Sequence, residues 1–158
     1  SSGRFSVLSE ARLTRTAFQL TVPVPERWKG TGEPLVLCAL DDEGEVDGTW
    51  VSDERGGMIG FKVKQFGTFE VRPDTTAPSL GEPQLESETL RLAVADDLSG
   101  IDRWEGRCGD QWMRLAMEKG VLIHSLGDNI LQSGSQVRVW AVDEAGNLGH
   151  RTFGWPLE

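Results

Sequence analysis

The side chains that most often carry out chemistry are sparse in this chain and scattered along it. It has two histidines, His124 in IHSL and His150 in GHRT, and two cysteines, Cys38 in LVLCAL and Cys108 in GRCGD. A catalytic zinc asks for clustered ligands, typically two histidines with a carboxylate or a cysteine. Neither His-x-His nor His-x-x-x-His spacing occurs, so both histidines read as partly exposed polar residues on strands. A serine or cysteine nucleophile needs a neighbouring base and an oxyanion hole. No Gly-x-Ser-x-Gly elbow is present, and no Gly-x-x-x-x-Gly-Lys loop that would cradle phosphate. The residues therefore predict a chain that is not an enzyme. Cys38, inside an apolar run, reads as a buried small hydrophobe, and a bridge to Cys108 in its turn-like stretch is the less favoured alternative.

Two acidic turns are more informative, Ala95-Asp-Asp-Leu-Ser-Gly-Ile101 and Ala141-Val-Asp-Glu-Ala-Gly-Asn147. Each follows an alternating strand and contains a glycine. Asp and Asn oxygens accept hydrogen bonds from backbone amides two residues on, and glycine supplies the positive φ of a tight turn. That reading explains both turns without a ligand. The functional alternative is calcium, with Asp96, Asp97, Asp102 and Asp143 offering hard oxygens where the two loops converge; the spacing is not that of an EF-hand.

Trp104 and Trp112 flank the turn at 105–110 at hairpin distance. Paired aromatics across strands stabilise a sheet, and exposed ones stack on sugars or mark an interface. Trp140, in RVWAV, faces opposite to Val137 and Val139, so one of those faces is a candidate contact surface. Trp104, Trp112 and Trp140 are the candidate binding residues.

The elements that position these residues are short strands. Phe18, Leu20 and Val22 alternate with polar neighbours, as do Ile59, Phe61 and Val63 with Lys62 and Lys64, and a period of two is what a half-buried strand requires. Strands are expected over 17–24, 35–40, 49–52, 59–64 and 68–72, about six in all before Pro73. Further strands are expected over 90–95, 101–106, 111–117, 121–126, 136–142 and 148–153. The stretch 113–119 has helical character but is too short to form a helix on propensity. Turn signals every 8 to 12 residues fit a sandwich or barrel.

Between the two sets lies Pro-Asp-Thr-Thr-Ala-Pro, Pro73–Pro78. Its two prolines remove backbone donors and disfavour helix in the preceding residue, so 75–80 reads as a seam. The expectation is all-β: two tandem small β-sandwich domains, residues 1–75 and 76–158. Each is near the lower size at which a core supports itself.

Net charge is −9 and the isoelectric point about 4.7. An acidic chain is repelled by phosphate backbones and anionic lipid, so nucleic acid is not an expected partner. No apolar run is long enough to span a membrane, and no membrane insertion is expected. The terminal Leu-Glu resembles the pair that a cloning site leaves before a histidine tag, so the chain is read as a fragment of a longer protein, most simply monomeric.

The order D-x-L-S-G-I, W-E-G…G-D-Q-W and V-x-A-V-D-E-A-G-N-x-G resembles bacterial immunoglobulin-like domains of secreted and envelope proteins. Asp97, Ser99, Gly100 and Ile101 match one loop, Asp110 and Trp112 the next hairpin, and Asp143, Gly146 and Asn147 the last turn. The preceding F-G-T-F-E-V-x-x-D-T-T-A-P is similar to a junction in the C-terminal region of Bacteroidetes lysostaphin-like zinc metallopeptidases, murein endopeptidases that cut peptidoglycan. The resemblance spans residues 58–153. It implies a second domain of immunoglobulin-like fold and a periplasmic, envelope or extracellular setting. It also implies a non-catalytic accessory role, spacing or orienting a catalytic module or touching cell wall. The family's zinc ligands have no counterpart here, so zinc belongs only to the catalytic domain of the parent chain, and no cofactor is expected in this fragment unless calcium. That catalytic domain is the first expected partner, and peptidoglycan or a surface glycan the second. Similar turns occur in adhesins and sugar-processing enzymes, which keeps a carbohydrate-binding or adhesin-type module as the alternative.

Overall fold

Period-two alternation needs two apolar faces to meet, and in the computed structural model they do so twice. The structure describes residues 4–7 and 13–157, almost all of them strand or turn. The chain divides into two compact units, Ser1–Thr75 and Thr76–Glu158.

The first unit holds β1 (Arg4–Val7), β2 (Leu13–Pro23), β3 (Leu35–Leu40), β4 (Val46–Val51), β5 (Asp53–Arg55), β6 (Met58–Gln65) and β7 (Gly67–Pro73). They form two antiparallel sheets, ordered β1-β7-β3-β4 and β2-β6-β5. Leu35, Leu37, Ala39, Phe69 and Val71 of the first sheet share one core with Ile59, Phe61 and Val63 of the second, and Phe18, Leu20 and Val22 pack against it. Burying a side chain the size of Phe61 or Phe69 contributes about 2 kcal/mol, so this layer is what holds the two sheets face to face.

The second unit holds β8 (Ser79–Leu80), β9 (Gln84–Glu86), β10 (Thr89–Ala95), β11 (Ile101–Cys108), β12 (Gln111–Met113), β13 (Ala116–Glu118), β14 (Val121–Ser125), β15 (Gln136–Asp143) and β16 (Leu148–Gly154). One sheet runs β13-β14-β10-β8, with β9 also on β10, and the other β12-β11-β15-β16. With β8, β10, β11, β12, β13, β14, β15 and β16 as strands A, B, C, C′, D, E, F and G, these are the D-E-B-A and C′-C-F-G sheets of an immunoglobulin sandwich. The core between them joins Leu90, Leu92 and Val94 to Val137, Val139 and Ala141. No disulfide staples it, because both Cys38 and Cys108 are buried free thiols. The fold is all-β.

Several elements differ from the sequence reading. The single strand expected over 111–117 is two strands on different sheets, β12 and β13, and the chain crosses the sandwich at Arg114–Leu115. Helical character at 113–119 yields to that crossing, since a helix there would leave both sheet edges unpaired. Within the expected seam, Ser79 and Leu80 already form a strand, pairing with Ala95 and Val94. β1, β5 and β9 are additional strands that short polar sequences did not announce.

Candidate functional site

The β11–β12 hairpin closes with the two residues Gly109 and Asp110, and Gly109 takes φ +57° to do so. That tight register fixes which side chains share a face. Gly106 stands opposite Met113 and points inward, while Arg107 stands opposite Trp112 and points outward. Continuing across the sheet, Arg107 pairs with Arg138 and Arg138 with Thr152. The next outward row is Glu105, Trp140 and His150, and the third is Arg103, Val142 and Leu148.

The outer face of the C′-C-F-G sheet therefore presents Trp112, 58% exposed, and Leu148, 57% exposed, with the half-buried Trp140 between basic side chains. Arg138, Trp140, Leu148, His150 and Thr152 line a shallow depression of about 290 Å³. Trp104 stands apart from this group. It lies on the inward side of β11, packs against the core, and donates its indole N–H to the Leu115 carbonyl at 3.1 Å.

Charge on this face is only partly balanced. Arg107 Nε donates to Glu105 Oε1 at 2.9 Å, and Arg103 Nη1 to Asp102 Oδ2 at 3.2 Å. Arg138 donates Nε and Nη2 to the neutral Gln136 Oε1 at 3.3 and 3.2 Å, and among the described residues it makes no ion pair. Three of the seven basic residues after Thr75 lie here, in a half of the chain whose 13 acids against 7 bases leave a net charge of −6. The face is a local exception to its own unit.

At one end of the sandwich the two acidic turns converge. The Glu144 N–H donates to the Gly100 carbonyl at 2.9 Å, and the Ala145 N–H to the Ser99 hydroxyl at 3.3 Å. Asp96 Oδ2 accepts from the Leu98 and Gly100 amides, at 3.2 and 2.8 Å. Asp143 accepts from Asn147 twice, Oδ1 from its backbone N–H and Oδ2 from its side-chain amide, both at 2.8 Å. A carboxylate oxygen of Asp96 lies within 4.8 Å of one of Asp143. Asp96 Oδ1 is buried and has no hydrogen-bond partner among the described residues. Of the four acids considered for a metal, the fold thus brings Asp96 and Asp143 together. Asp97 is exposed, and the exposed Asp102 is engaged by Arg103.

The histidines lie on different sheets. His150 is exposed beside Trp140, whereas His124 on β14 is fully buried rather than partly exposed. Its Nδ1 is 3.0 Å from the Arg114 carbonyl oxygen, and its Nε2 has no hydrogen-bond partner among the described residues. The reason is parity: His124 shares the inward face of β14 with Leu122.

Sequence reasoning missed Arg107, Arg138 and Leu148 as members of the face. The signal for Arg138 is present in RVWAV, where Arg138 and Trp140 have the same parity and oppose Val137 and Val139. No protein-family model matches the chain, and no curated protein matches it.

Proposed function

We propose that this chain is a non-catalytic accessory region of an envelope-associated or secreted peptidoglycan peptidase, and that its second unit makes contact with cell-wall glycan. The observation that carries the reading is the placement of Trp112 and Trp140 on one outward sheet face, with Arg138 in the row of Trp112 and two residues before Trp140 on its strand. Indole faces stack on the apolar faces of sugar rings, and flanking arginines and polar groups bond hydroxyls and acids. A face of this kind on a two-sheet scaffold is rigid, so binding does not have to order it first. The setting and the catalytic partner come from the family resemblance across residues 58–153, and the sparse, dispersed histidines fit an accessory role.

The test is sedimentation of the purified chain with isolated cell-wall sacculi. Wild-type protein should co-sediment and release no soluble fragments from the sacculi. Loss of co-sedimentation in Trp112→Ala and Trp140→Ala variants that still melt like wild type supports the contact face. Chelator-sensitive hydrolysis by the purified chain, or co-sedimentation untouched by both substitutions, overturns it.

A second reading concerns the converged turns, because Asp96, whose buried Oδ1 has no hydrogen-bond partner among the described residues, lies beside Asp143. There calcium would take these hard oxygens with backbone and water ligands to complete its shell. Millimolar calcium should then raise the melting temperature and chelator reverse it. An unchanged melt leaves the turns closed by their own hydrogen bonds.

A further inference from the structure

The register of the outer face places two like charges directly opposite each other. Arg107 on β11 and Arg138 on β15 are cross-strand partners, an arrangement that destabilises a sheet unless something offsets it. Glu105 offsets one of the two charges. The other rests on the amide oxygen of Gln136, which carries no charge. Both outward indoles adjoin the pair: Trp112 is the cross-strand neighbour of Arg107 in the same row, and Trp140 follows Arg138 by two residues on the same strand, one row on. Trp112 and Trp140 are two strand spacings apart, roughly 10 Å across the sheet. Trp112, Arg107 and Arg138 thus form one cross-strand row, and Trp140 stands in the next row, opposite Glu105.

We infer that the ligand of this face is a polysaccharide carrying carboxylate groups along its chain. The inference rests on the glycan-contact reading above and narrows it. The planar fork of arginine matches a carboxylate with two parallel N–H···O bonds, so a uronate-type group beside the indoles would neutralise Arg138, the guanidinium that Glu105 leaves uncompensated. The charge of the rest of the unit decides against a denser polyanion. With a net charge of −6 over residues 76–158, a nucleic acid with one charge per roughly 1.7 Å of duplex is repelled along most of its length. A glycan brings its carboxylates on sugar rings whose apolar faces stack on the indoles.

Affinity electrophoresis and isothermal titration of the whole chain against three probes test this: sodium polygalacturonate, the same polymer after carboxyl reduction, and a neutral β-glucan. Polygalacturonate should bind, carboxyl reduction should weaken binding at least tenfold, and rising salt should weaken it as well. Arg138→Gln should reproduce the tenfold loss on polygalacturonate with no fall in melting temperature, and Trp112→Ala should weaken all sugar binding. Equal affinity for the acidic and carboxyl-reduced polymers overturns the carboxylate inference while the glycan-contact reading stands. Absence of binding to all three probes, together with no co-sedimentation with sacculi, overturns both. A wild-type chain that dimerises, with Arg138→Gln returning it to monomer, assigns the face to a second copy and also overturns the inference.

Discussion

Asp143 and Asn147 close the last turn of the second unit on themselves. Both carboxylate oxygens of the buried Asp143 are occupied, one by the Asn147 backbone N–H and one by its side-chain amide, at 2.8 Å each. The same turn is tied to the preceding loop, since the Asp143 residue pairs with Ile101 and the Glu144 N–H reaches the Gly100 carbonyl. Asp143→Ala removes both of these acceptors from the Asn147 donors. Hydrogen bonds to a charged acceptor are worth about 1.5–3 kcal/mol each, so a loss of roughly 3 kcal/mol in urea unfolding is expected. Asp143→Asn keeps one acceptor and should recover about half of it.

A second close approach fixes the first strand of this unit. A Cβ added at Gly149 on β16 would lie 2.9 Å from the Pro78 carbonyl carbon and closer still to its oxygen. Those atoms are backbone, so no side-chain rotation relieves the clash. Gly149→Ala should force the 78–80 segment away from β16 and cost about 3 kcal/mol, at the upper end for overpacking. Gly154, where nothing lies within 4 Å, is the control on the same strand. Its Ala variant should melt close to wild type.

Much of this architecture is legible in the sequence because burial on one face writes a period of two. Phe18, Leu20 and Val22, or Ile59, Phe61 and Val63, have no other way to share a core, and they do share one. The crossing at Arg114–Leu115 is not legible, since a strand that changes sheets keeps its alternation and loses only its partner. His124 was readable by parity with Leu122, but the polarity of its side chain argued for exposure. The three tryptophans divide for a similar reason. In a hairpin closed by two residues, Trp104 and Trp112 fall on opposite faces, so the length of the turn decides what the spacing of 104 and 112 alone leaves open. Trp140 opposing Val137 and Val139 followed directly from RVWAV.

That division separates packing from contact experimentally. Trp104→Ala removes a ring set against the core together with its bond to the Leu115 carbonyl. It should cost about 3 kcal/mol, in the usual range for removing a large aromatic from a core. Trp112→Ala removes a side chain that is 58% exposed, and its stability should stay within about 0.5 kcal/mol of wild type. Tryptophan fluorescence gives a second readout, because acrylamide should quench wild-type emission more than that of Trp112→Ala. Equal quenching in the two proteins would contradict the outward placement.

Cys38 supplies a pH dependence whose sign is fixed by burial. The thiol is 0% exposed on β3, and removal from water pushes its pKa from 9.0 up to about 11, with the Arg72 charge acting in the opposite direction and Glu70 and Asp74 adding to the rise. An acid whose pKa is raised in the folded state stays neutral there while the unfolded chain ionises. Its contribution to stability is therefore fully present below about pH 9 and is lost as pH rises through about 11. Urea unfolding midpoints should fall over that interval, and Cys38→Ala should flatten the part of the decline that belongs to this thiol. Native protein at pH 8 should leave Cys38 unmodified by iodoacetamide, because the thiolate is the nucleophile and the buried group is held as the thiol. Alkylation of Cys38 should appear only with the urea transition, so labelling of the native state at the rate of a free thiol would sink the prediction.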